Sequence, residues 1–198
     1  MPDIKQAKVV ILATHGFEQS ELKVPLQKLR DAGAQVVVVS PEQGQLRGWK
    51  EKDWGESVPV DKSLDEVSAD DYDAIVLPGG QINPDLLRIN AQALQLIRDF
   101  LDSGKVVAAV CHAPWLLIEV GAVRGRQVTS YKSIKTDVVN AGGKWIDREV
   151  VTDSGIITSR NPGDLDAFCA KIIDEIQEGS HSRQRAARAR SEQRPTSH

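Results

Sequence analysis

Val106-Val107-Ala108-Ala109-Val110-Cys111-His112-Ala113-Pro114-Trp115 is the stretch on which the fold turns. Its five small or β-branched apolar residues read as a strand buried on both faces, as in a parallel sheet. The run from Pro114 through Leu116, Leu117, Ile118 and Val120 to Gly121 then reads as a short helix, with Pro in its first turn and Gly as its stop. Cys111 sits at the junction. A thiol there is lifted toward the carboxyl edge of the sheet and faces the free N–H groups of a helix start, which favour a thiolate. This is a nucleophile elbow with Cys in place of Ser. A buried structural cysteine fits the same segment equally well, because free Cys is among the most buried residue types.

Outward from this turn, strand-like and helix-like segments alternate. Ala7 to Ala13 and Ala34 to Ser40 are apolar strand runs, and Leu22, Leu26 and Leu29 stripe a helix between them that Gly33 closes. Pro41 to Ser57 reads as a loop rich in Gly, Trp and charge, followed by Val58-Pro59-Val60 and an acidic stretch. Tyr72 to Leu77 is a strand running into Pro78-Gly79-Gly80, and Leu94, Ile97, Phe100 and Leu101 mark the next helix. Beyond the elbow come a strand at Gln127 to Ser130, a short helix from Ser133 to Ala141, and a hairpin from Trp145 to Ser159 turning at Asp153-Ser154-Gly155. A last helix buries Leu165, Phe168, Cys169, Ile172, Ile173 and Ile176, so Cys169 reads as core packing. Repeated strand–helix units predict a doubly wound α/β sandwich, its mostly parallel central sheet covered by helices on both faces, plus a small β-hairpin.

Ligands of such folds bind at the carboxyl ends of the strands, near a topological switch. Glu18 follows the first strand through His15-Gly16-Phe17, Gly79 and Gly80 follow the Tyr72–Leu77 strand, and Cys111 follows the next. A carboxylate beside a thiol can donate to it when protonated or accept its proton when ionised. The N–H groups of Gly80 and His112 are candidates for an oxyanion hole. His15 is a candidate pocket residue or a solvated loop histidine. The His112 ring could serve the thiol, or instead cap a helix or pack at a subunit interface.

The bulk properties fit one soluble domain. The chain has 198 residues, 40% hydrophobic and 27% charged. No run approaches the ~20 apolar residues of a membrane-spanning helix, and Met1-Pro2-Asp3-Ile4-Lys5 is no signal peptide. Two cysteines make no disulfide framework, and nothing resembles metal-ligand spacing. A cytoplasmic protein with reduced thiols is expected, with no cofactor and no membrane. The domain spans 1–178. Residues 179–198 form a basic tail, with Arg183, Arg185, Arg188, Arg190 and Arg194 against Glu192 alone, which leaves the body at −7 in a chain of net charge −3. Such a tail is a flexible solvated extension or an electrostatic contact. With no aromatic residue to stack on bases, nucleic acid is a poor fit.

The motifs Gly16-Phe17-Glu18 with Glu21-Leu22, Leu77-Pro78-Gly79-Gly80, Val110-Cys111-His112 with Pro114, and Ser130-Tyr131 with Asn140-Ala141-Gly142 resemble the PfpI family of intracellular cysteine proteases and stress proteins. That superfamily includes the Parkinson-associated deglycase and shares its fold with glutamine amidotransferase domains. The resemblance runs from about Lys8 to Ile176. It implies a flavodoxin-like sandwich with Cys111 as nucleophile, Glu18 bonded to the thiol and His112 as the catalytic histidine. It also implies an acidic residue from a neighbouring subunit, in the loop after Pro78-Gly79-Gly80 and best matched by Asp85, and hence a homodimer or higher homo-oligomer. Ala113 stands where Gly is commoner, and Trp115 falls at the pocket wall.

The resemblance implies a stress-response, deglycase-type hydrolase or lyase acting on α-oxoaldehydes or their protein adducts, with peptide hydrolysis ranked lower. A redox sensor or chaperone that oxidises Cys111 without turnover is the alternative. An amidotransferase domain is a weaker third, because its histidine lies far from its nucleophile.

Overall fold

The β-branched runs form the strands that their patterning predicts. In the computed structural model, residues 2–179 are described. β1 (Lys8–Leu12) leads into α1 (Gln19–Asp31) and β2 (Gln35–Ser40), and a pair of strands, β3 (Gln45–Lys50) and β4 (Asp53–Pro59), precedes the short β5 (Lys62–Ser63). β6 (Ala74–Leu77), α2 (Ile82–Leu87), α3 (Ala91–Asp102), β7 (Val106–Val110) and α4 (Pro114–Glu119) carry the chain past the elbow. β8 (Gln127–Val128), α5 (Lys135–Asn140), β9 (Lys144–Trp145), β10 (Val151–Asp153), β11 (Ile156–Ser159) and α6 (Leu165–Glu178) complete it.

The main sheet has the order β10-β11-β7-β6-β1-β2-β5, parallel except for β10 against β11. The flavodoxin-like doubly wound sandwich is therefore what the chain folds into. From β1 the chain builds first toward β2 and β5, then returns to the other side of β1 with β6. The switch point thus lies between β1 and β6, and the loops after β1, β6 and β7 open together there. Successive strand residues alternate between two cores. Val9, Ile11, Val76, Ala108 and Val110 pack with Leu22 and Leu29 of α1 and Phe168 and Ile172 of α6. Val10, Leu12, Ile75, Leu77, Val107 and Ala109 pack with Ile97 and Phe100 of α3 and Leu116 and Leu117 of α4. Cys169 is in the first core, as its helical spacing predicts.

Three local expectations are corrected. Pro41–Ser57 is not a loop: β3 and β4 pair as a hairpin, with Trp49 opposite Trp54 and a register shift between Arg47 and Trp49. The cross-strand tryptophans supply the apolar contact that alternation in this charged stretch does not advertise. The segment after Pro78-Gly79-Gly80 is not a loop either, because Asn83 and Pro84 are buried at the start of α2. The hairpin turning at Ser154-Gly155 begins at Val151, while Trp145 belongs to β9, paired in parallel with β8. Both turn residues have positive φ, 54° and 81°, as a tight hairpin turn requires. The tail assigned to 179–198 lies, from residue 180 on, outside the described residues. Among the described residues no helix is long and apolar enough to cross a membrane.

Candidate active site

Cys111 leaves β7 with φ +64°, a left-handed conformation that L side chains rarely adopt. The turn is held from both sides: Cys111 N–H donates to Ser159 O on β11 at 3.1 Å, and its carbonyl accepts from Tyr131 N–H at 2.7 Å. Strain of this kind persists where the surroundings over-determine it. The thiol lines a cavity of about 300 Å³ with Gly16, Glu18, Trp49, Gly80, His112 and others. It is therefore a nucleophile elbow in geometry, although only 6% of the residue is exposed.

The carboxyl group beside this thiol belongs to Glu21, which corrects the placement expected for Glu18. Glu18 is the N-cap of α1, and its Oε2 accepts from Glu21 N–H at 3.0 Å and from the Ser20 hydroxyl. Glu21 stands at the third position of the helix, on the stripe of Leu22, Pro25 and Leu29 that packs inward. Its side chain is fully buried, with Oε1 accepting from Gly79 N–H at 3.1 Å. Oε2 has no hydrogen-bond partner among the described residues, and the carboxyl group interacts with the Cys111 thiol. Burial first, and the nearby Glu18 charge second, push the Glu21 carboxyl up to about 8. Burial and the Glu21 charge likewise push the Cys111 thiol up, while the N–H groups of Gly80 and His112 pull against them by stabilising the anionic sulfur. Two such groups in contact cannot both ionise, so a carboxyl proton directed at a single thiolate is the favourable charged arrangement.

Glycine is obligatory here. A Cβ on Gly79 would stand 2.5 Å from Glu21 Oε1 and 2.6 Å from Cys111 Cβ, so no side chain fits between acid and thiol. The donors expected to form an oxyanion hole, Gly80 and His112 N–H, bear on the sulfur itself. The His112 ring does reach the thiol: Nδ1 is 3.2 Å from Sγ, and Nε2 is 3.3 Å from Ser133 Oγ. The ring stacks on Tyr131 at 4.7 Å, and burial lowers its basicity, favouring the neutral form.

The remaining expected residues lie outside this cluster. His15 does not line the cavity; its Nδ1 accepts from Arg47 N–H at 3.1 Å and anchors β3. Trp115 and Asp85 line a second, more open cavity of about 470 Å³ on the far side of His112. The Trp115 indole donates to Asp137 there, at 2.9 Å. Sequence reasoning passed over Asn83, which is fully buried and ties the site together. Its Oδ1 accepts from Thr14 N–H at 2.8 Å, and its Nδ2 donates to Pro78 O at 2.9 Å and Gly79 O at 3.3 Å. Among the described residues no group of three acidic, His or Cys side chains could hold a metal ion.

Comparison with known proteins agrees with this geometry. The DJ-1/PfpI family profile matches residues 7–175. Deglycase PfpI of Pyrococcus furiosus is 42% identical over 166 residues, covering 84% of this chain and 97% of that one. Protein/nucleic acid deglycase 2 of Escherichia coli is 44% identical over 164 residues, covering 81% and 92% respectively. The crystal structure of Drosophila melanogaster DJ-1beta superposes with a TM-score of 0.79 at 29% identity, over 93% of this chain and 97% of that one.

Proposed function

Because the chain belongs to the DJ-1/PfpI family, we propose that it is a cysteine-dependent hydrolase or lyase acting in stress on α-oxoaldehydes or their protein adducts. The observation that carries this reading is the Cys111–Glu21 pair: a thiol on a strained elbow against a buried carboxyl that keeps its proton to about pH 8. The sulfur attacks the aldehyde carbon, and as the S–C bond forms the carbonyl π pair moves to oxygen, which takes the Glu21 proton. The product is a hemithioacetal, and Glu21, now a carboxylate, or neutral His112 is placed to remove the proton from its carbinol carbon. Returning that proton to the adjacent carbon gives a thioester. Water then cleaves it to the 2-hydroxy acid and restores the thiol. With a protein adduct the sulfur displaces the side-chain nitrogen or sulfur from the carbinol carbon: the new S–C bond forms as the old C–N or C–S bond breaks, the leaving group takes the Glu21 proton, and the same hemithioacetal results.

The names of two relatives support an enzyme of this kind, and a cavity of about 300 Å³ suits a small carbonyl better than an extended peptide. The test is aldehyde loss and lactate formation from methylglyoxal by the wild type and Cys111→Ser. Turnover that survives the substitution would sink the mechanism. One observation favours oxidation as a second role: Cys169 is buried, and its thiol is pushed up to about 12 by its surroundings, so it is a poor resolving partner for an oxidised Cys111. Mild peroxide would then leave sulfinic acid, read as added oxygen by intact mass. We also carry forward, as proposals, a homodimer or larger homo-oligomer, a cytoplasmic location and a catalytic contribution of Asp85 to a neighbouring subunit.

A further inference from the structure

The hairpin β3–β4 brings to the cavity two residues that the mechanism above does not use. Trp49 and Glu51 line it together with Glu18, Gly80, Gln81, Ile82, Cys111, His112 and Tyr131. The hairpin is held in place by backbone pairing with the loop after β1: Gly16 N–H donates to Arg47 O at 2.9 Å, and Trp49 N–H to Phe17 O at 2.7 Å. The Trp49 indole N–H donates to Glu51 O at 3.1 Å, which fixes the ring against the turn and spends its polar end there.

The wall so built has one sign of charge. Glu18 and Glu51 are its acidic residues, no Lys or Arg among the described residues lines the cavity, and burial favours neutral His112. Lys50 and Lys52 flank the turn but are not lining residues. Both hydrogen bonds that Glu18 accepts fall on Oε2, leaving Oε1 outside them. The aromatic pair already accommodates a guanidinium on its other member: Trp54 packs edge-on to Trp49 with centroids 5.3 Å apart, and the Arg47 guanidinium lies 5.6 Å over Trp54. A concave site lined by carboxylates and an aromatic face concentrates cations and binds planar ones best.

We infer that the hairpin tip makes this cavity selective for cationic substrates, with Trp49, Glu51 and Glu18 reading a guanidinium beside the carbon that Cys111 attacks. The inference rests on the proposed function and narrows its substrate class. An arginine side chain that has condensed with an α-oxoaldehyde keeps its positive charge, whereas the corresponding cysteine adduct is neutral. Arginine adducts are the preferred substrates.

The test compares kcat/KM for the methylglyoxal adducts of Nα-acetylarginine amide and N-acetylcysteine amide. The wild type favours the arginine adduct. Glu51→Gln and Trp49→Leu each lower the ratio of the two kcat/KM values about tenfold, chiefly through KM, and added salt erodes it as well. Glu51→Gln changes one oxygen for an amide at an exposed turn, so it keeps the test valid should Trp49→Leu disturb the hairpin. A wild-type ratio near unity, or one that neither variant moves, overturns the inference. A binding arm separates this failure from failure of the catalytic reading. The Cys111→Ser protein should bind Nα-acetylarginine amide but not its neutral isostere Nα-acetylcitrulline amide, and Glu51→Gln on that background should weaken the binding. If the cation binds in this way but neither adduct turns over, the proposed chemistry is wrong and the cation site stands. If adducts turn over without cation preference, the cation site is wrong and the chemistry stands.

Discussion

Replacing Glu21 by Gln should abolish one component of the pH dependence of folding. The Glu21 carboxyl titrates at about 8 in the folded protein against 4.5 for an ordinary glutamate. Between those values the native state holds a proton that the unfolded chain has released, so native binds more protons than unfolded and stability falls as pH rises. The contribution is fully present below pH 4.5 and fully lost above about 8. At about 1.4 kcal/mol per pH unit, the whole interval is worth at most about 5 kcal/mol. Gln has the same shape and cannot ionise, so Glu21→Gln removes this slope. The contrast is cleanest in a Cys111→Ser background, which eliminates the coupled thiol. Urea unfolding followed by tryptophan fluorescence at several pH values from 5 to 8 measures it, with Glu21 as the only difference between the two proteins. Parallel slopes would mean that Glu21 is ionised in the folded state and cannot hand a proton to substrate, which removes the basis of the mechanism.

Asn83→Ala should destabilise the fold by about 2–4 kcal/mol, since it strips the Thr14 N–H and the Pro78 carbonyl of their partner and leaves Gly79 O with the Glu18 N–H. Because the Gly79–Gly80 turn hangs on the same side chain, iodoacetamide should also alkylate Cys111 more slowly below the unfolding transition. Unchanged alkylation at matched stability would show that Asn83 supports the fold alone. Asp85→Asn and Cys111→Ser, each inactive by itself, should regain methylglyoxal turnover when unfolded and refolded together, if Asp85 completes the site of a second copy. No recovery in mixed oligomers confirmed by sedimentation would confine Asp85 to its own subunit.

The layers and the elbow were legible because burial on both faces leaves a plain mark. β7 reads as an unbroken apolar run, and Cys111 follows it directly into Pro114. The carboxyl was misplaced because nearness in sequence to the Gly16 turn favoured Glu18. A helical projection carries the missing signal: Glu21, Pro25 and Leu29 recur at steps of four on the apolar stripe of α1. A carboxylate on that stripe must find a buried partner or keep its proton. Asn83 gave no such warning, because Gln81 and Asn83 between two glycines and a proline look like turn chemistry until the fold closes over Asn83. The hairpin β3–β4 was hidden for a different reason. Its stability comes from paired tryptophans across two charged strands, not from alternation along either one.

That hairpin forms its own two-stranded sheet, separate from the seven-stranded one. It meets the cavity through one edge, with Trp49 bridged to Glu18. Residues there can therefore be exchanged with little disturbance to the layers that aim Cys111, because β7, which leads into the thiol, pairs with β6 and β11 and not with β3 or β4. Chemistry and substrate choice reside on separately replaceable parts, and a lineage or a designer can change what the thiol meets while leaving the thiol as it is.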